Sequence, residues 1–103
     1  MNLVALFFAG AFLCNSLPHL VCAVQGQPFP SPFAKPSGIG NSSPLVNFVW
    51  GFGNLLAGLA IASRFPLSIG LNANFVVLMA GAAAIGLQLS WHFGKVMRTR
   101  AAK

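Results

Sequence analysis

The chain has 103 residues, of which 56% are apolar and only 6% charged, and its net charge is +6 because all six charged residues are basic. An ordinary soluble domain carries about 25% charged residues, so water is the wrong solvent for this chain and a lipid bilayer the right one. Asp and Glu are absent, which excludes paired-carboxylate hydrolysis, carboxylate-oriented triads, Mg²⁺ or Ca²⁺ sites built on Asp and Glu, and transport driven by a membrane-embedded carboxylate.

The first element is the apolar run 3–24, interrupted by Asn15, Ser16, Pro18 and His19. About 20 residues suffice to cross the hydrocarbon core, so a first membrane helix is expected here. A cleaved signal peptide competes, because Val21-Cys22-Ala23 ends the run with small residues. Against cleavage, no Lys or Arg precedes the run, and Asn15, Pro18 and His19 suit a signal poorly. Cys14 and Cys22 are eight residues apart in the same helix, about 12 Å by helical rise, too far to form a disulfide.

Residues 25–43 change to Pro, Gly, Ser and Asn, with Pro28, Pro30, Pro32 and Pro36 too closely spaced for a helix. We expect an ordered or semi-ordered loop, its Phe29 and Phe33 resting at the bilayer interface or on helix ends. Ser43-Pro44 then opens a second helix, 44–63: a serine accepts from the free N–H groups of the first turn, and proline is best tolerated at the first helical position. Arg64 and Pro66 end it. After a short connector containing Gly70, a third helix is expected over 73–94, followed by a basic tail, 95–103.

These elements predict one membrane domain, 1–103, of all-α class: a three-helix transmembrane bundle with a Pro/Gly-rich loop between its first and second helices. Lys and Arg collect on the cytoplasmic side of membrane proteins. Three crossings place the tail and Lys35 inside, with the N-terminus and Arg64 outside. Such clustered cations suit anionic lipid head groups and leave no face for nucleic acid.

Helices in lipid associate through small residues and interhelical hydrogen bonds. Asn47, Gly51, Asn54 and Gly58 form such a seam on the second helix, at spacings of four, three and four. Gly81, Ala84, Gln88 and Trp91 form one on the third, with Ala80 beside it, and Ala11, Asn15, His19 and Cys22 form one on the first. All three seams are expected to face inward, with Asn15, Asn47, Asn54 and Gln88 as interhelical clamps. The alternative role for the amides is to line the path of a minimal small-molecule transporter.

His19 and His92 are the only candidate cofactor ligands. At similar depth on neighbouring helices, two imidazoles can hold a haem or transition metal, or bind a quinone head group. The structural reading is stronger: His92 follows Trp91 at an interface, and His19 follows Pro18, whose ring leaves the Cys14 carbonyl without its helical donor. No Cys/His spacing suggests a metal site, and we expect no bound cofactor.

The segments Asn15-Ser16-Leu17-Pro18-His19, Phe29-Pro30-Ser31-Pro32-Phe33-Ala34, Gly38-Ile39-Gly40-Asn41-Ser42-Ser43-Pro44 and Asn47-Phe48-Val49-Trp50-Gly51, with Gly26, resemble a pattern found in small bacterial membrane proteins of unknown function. The resemblance covers about the first half of the chain. It implies a bacterial inner membrane and a loop with definite structure, and nothing about activity. The expected function is that of a non-enzymatic accessory, assembly or oligomeric membrane component, acting as a homo-oligomer or within a larger complex.

Overall fold

A computed structural model describes residues 2–101. Its elements in chain order are helix α1 (Leu3–Val24), strand β1 (Phe29–Pro30), strand β2 (Asn41–Ser42), helix α2 (Pro44–Ala62) and helix α3 (Ala73–Ala101). The protein is an all-α three-helix structure, and all three helices are long and apolar enough to cross a membrane. Each helix begins on a side-chain cap. Asn2 accepts from the Ala5 N–H at 3.0 Å, Ser43 from Val46 at 3.2 Å, and Asn72 from Phe75 at 2.9 Å.

The third helix is longer than expected. It runs straight through Gly94 to Ala101, so the described part of the basic tail, Lys95–Ala101, is helical; Ala102 and Lys103 lie outside the described residues. A single interior glycine costs a helix only about 1 kcal/mol. No proline follows it, and Arg98 and Arg100 in the last turn suit the negative end of the helix dipole. At about 1.5 Å per residue, 29 residues reach about 43 Å, against about 30 Å of hydrocarbon.

Helix α1 is the central element: it packs against both α2 and α3, which share no comparable interface with each other. Gly51 of α2 sits against His19 and Leu20, and Gly58 against Ala9 and Leu13, so α1 and α2 are antiparallel. Gly10 of α1 sits against Leu78 and Ala82, Gly81 of α3 against Phe7, and Gly86 near Cys14, so α1 and α3 are parallel. The core is small: Leu6 and Ala9 are fully enclosed, Ala62 and Leu78 nearly so, and Leu13, Ile61, Phe65 and Val77 pack around them.

This arrangement puts the loop 25–43 and the basic end of α3 at one end of a molecule measuring 47 × 24 × 20 Å, with the connector containing Arg64 at the other. Four of the described cations, Lys35, Lys95, Arg98 and Arg100, therefore share the loop end.

Candidate functional site

At the loop end, one buried side chain organises everything else. Asn47, in the first turn of α2, is fully enclosed. Its Nδ2 donates to the carbonyls of Phe29 at 2.9 Å, Ser42 at 3.2 Å and Ser43 at 3.2 Å. A carboxamide nitrogen surrounded by carbonyls must be the NH₂, so Oδ1 faces His19, whose Nδ1 lies 2.7 Å away. His19 is then the donor through Nδ1–H. When the ring is neutral, its Nε2 is left as an acceptor.

Asn47 thereby holds both strands of the loop. Phe29 pairs with Ser42 and Pro30 with Asn41, antiparallel. The hydroxyls of Ser31 and Ser42 bond to each other at 2.6 Å in the interior. The Ser31 carbonyl accepts from both Ala34 and Gly38, and Gly38 turns the chain with φ 71°, a conformation that favours glycine. The loop is thus a folded cap over the helix ends.

His92 and Arg100 fasten this cap to α3. His92 Nε2 donates to the Gly38 carbonyl at 2.8 Å, leaving Nδ1 free. Arg100 donates to Asn41 Oδ1 at 2.8 Å and to the Ile39 carbonyl. Between loop and helix lies a cavity of about 420 Å³ lined by Pro36, Ile39, Gly40, His92, Lys95, Val96, Thr99 and Arg100. Lys95 Nζ stands 4.7 Å above the Trp91 ring.

The two histidines occupy the same end of the molecule but bind different partners, His19 the Asn47 side chain and His92 the Gly38 carbonyl. They are linked through aromatic rings: His19 to Phe29 at 5.6 Å, Phe29 to Phe93 at 4.7 Å, and Phe93 to His92 at 5.0 Å between centroids. His19 does not serve the carbonyl freed by Pro18, as its sequence position suggested; Asn47 binds it instead. Among the described residues, no cluster of three or more His, Cys, Asp or Glu that could hold a metal exists. Cys14 and Cys22 are unpaired.

Within the membrane span, Asn15 donates to Asn54 Oδ1 at 3.0 Å, and Asn54 donates back to the Trp50 carbonyl at 2.8 Å. Asn47, Gly51, Asn54 and Gly58 all belong to the buried face of α2. On α3 the expected seam is displaced. Gly81 meets the Phe7 backbone, but Ala84, Gln88 and Trp91 are exposed, and α3 turns Leu78, Gly81, Ile85 and Phe93 inward instead. The displacement has a simple cause: α3 is apolar or small on both faces, so periodicity alone does not say which faces lipid.

Sequence reasoning missed the parts of the site contributed by the loop and by Arg100. Ile39, Asn41, Ser31 and Ser42 carried only turn chemistry, and Arg100 lies 59 positions from Asn41. The segments that carried the resemblance to small bacterial membrane proteins do, however, converge here: His19, Phe29, Ser31, Gly38, Asn41, Ser42 and Asn47 belong to one network. Comparison with family profiles, with curated proteins and with solved structures found no match to this chain.

Proposed function

We propose that this chain is a non-enzymatic component of a membrane assembly, joining a second copy of itself or a larger complex through the outward face of α3. One observation carries the reading: Ala80, Ala84 and Gln88 lie along one exposed stripe of a membrane-crossing helix. Gln88 brings a carboxamide to a surface otherwise facing hydrocarbon, where polar groups find partners on neighbouring helices and small residues allow close approach. Inside the bundle the amides are engaged within the chain, Asn15 with Asn54 and Asn47 with His19. Helix α3 is also the least covered: 11% of its most apolar window is buried, against 28% for each of the others.

The finer placement, a bacterial inner membrane with the loop end in the cytoplasm, is supported by the clustered cations and by the sequence resemblance. Cysteine cross-linking in native membranes tests the assembly. With Cys14 and Cys22 replaced by Ala, Ala84→Cys is expected to give a cross-linked species that Gln88→Leu diminishes. Leu59→Cys, on an exposed face of α2, is expected to give none. Equal yields at both positions, or none at Ala84→Cys, would overturn the proposal.

A further inference from the structure

We propose that the cavity between the loop and the last two turns of α3 binds one anionic phospholipid, its phosphate on Lys95 and Arg100 and an acyl chain along Pro36, Ile39 and Val96. The inference rests on the membrane reading of the fold, but it is independent of the assembly face on α3.

Four observations lead to it. First, the site is constructed: bonds from His92 to Gly38 and from Arg100 to Ile39 and Asn41 fix its two walls relative to each other. Second, its charge is uncompensated. The chain contains no Asp or Glu, and Arg100 spends two donors on neutral oxygens. A guanidinium has five, so three remain, at a cavity that Lys95 also lines. No Asp or Glu side chain is there to neutralise these cations, which leaves the site open to an external anion.

Third, the height is right. With about 43 Å of helix against about 30 Å of hydrocarbon, the end of α3 emerges among the head groups. Trp91, 63% exposed and beneath the Lys95 ammonium, is the kind of ring that settles at that boundary. Fourth, the lining is mixed: Pro36, Ile39 and the mostly buried Val96 stand beside the cations. A free phosphate has no use for that apolar wall. A phospholipid uses both halves, and the cavity, about 420 Å³, is within the range of small-molecule sites.

The test is native mass spectrometry of the full-length protein released from nanodiscs of phosphatidylcholine doped with phosphatidylglycerol. One phosphatidylglycerol is expected to remain bound per chain. Lys95→Gln and Arg100→Gln are each expected to lower its retention about tenfold, the worth of a charge-assisted hydrogen bond. Arg98→Gln removes the same charge from the same helix outside the cavity, and is expected to change retention by less than about twofold. Lys95 holds no part of the loop, so its variant reports on the ligand even if Arg100→Gln loosens the fold.

Equal losses in all three variants would replace the site with diffuse surface attraction. Displacement of the lipid by inorganic phosphate would reassign the cavity to a free anion, and absence of any retained lipid would remove the proposal altogether. Cross-linking at Ala84→Cys reads the assembly separately from all three outcomes.

Discussion

The close backbone approach of α1 and α3 predicts opposite effects for two chemically identical substitutions in membrane-spanning helices. A Cβ built on Gly81 would overlap the Phe7 carbonyl oxygen and lie 2.7 Å from its carbon and 3.0 Å from the Phe7 Cα. Carbon atoms pack best at about 3.5–4.0 Å, so the carbon contacts alone require Gly81→Ala to push α1 and α3 apart by at least roughly 1 Å. These are backbone atoms, with no flexible side chain to swing away. A gap of that size forfeits a quarter to a half of each dispersion contact, and a buried leucine such as Leu6 or Leu78 makes about 40–60 of them at about 0.1–0.2 kcal/mol. Losing a quarter of one leucine's share gives about 2 kcal/mol, inside the usual range of about 1–3 kcal/mol for overpacking. Gly53, by contrast, has nothing within 4 Å of its would-be Cβ. Gly53→Ala is expected to be neutral or to stabilise α2 by up to about 1 kcal/mol. Equilibrium unfolding in mixed micelles, followed by helicity, measures both. Gly10→Ala meets the same crossing from the other side, so the double variant is expected to cost less than the two single losses together. A Gly81→Ala protein as stable as wild type, or a Gly53→Ala protein destabilised as much as Gly81→Ala, would refute this account of the α1–α3 contact.

Two further outcomes follow from the loop end. Asn47→Ala removes the donor shared by three carbonyls and leaves His19 Nδ1–H unmatched, so a loss of about 1–3 kcal/mol is expected for each group left unsatisfied in the interior. Proteinase K should then cut within residues 25–43 much faster than in wild type, and an unchanged cleavage rate would show that the cap does not depend on Asn47. Reporter fusions at the two termini should place the C-terminus in the cytoplasm and the N-terminus outside, because Lys35, Lys95, Arg98 and Arg100 share one end and Arg64 lies at the other. Both termini on the same side would contradict three crossings.

The start of α2 was legible because its cap is local chemistry: Ser43-Pro44 announces the helix within two residues. The seam of α2 was legible for a related reason, since its glycines and asparagines contrast with the Leu, Val and Phe around them. On α3 that contrast fails, because Gly81 and Ala84 are both small and both lie among apolar neighbours. Which one meets α1 is decided by the backbone approach of Phe7, more than 70 positions away in the sequence. The helical state of Lys95–Ala101 was hidden because clustered cations read as a solvated tail, while their folding partner is a loop some 60 residues earlier. The loop's turns were visible in Pro, Gly and Ser; its closure by one carboxamide from the following helix was not.

The placement of α1 between two helices that scarcely meet bears on how the chain is made. Helix α1 precedes α2 and α3 in the chain and is the surface on which both dock, so α2 can settle before α3 has been completed and neither must be displaced to admit the other. The nascent chain can therefore assemble in the order of its translation. Any processing that removed α1 would leave α2 and α3 as two solitary helices joined only by their connector.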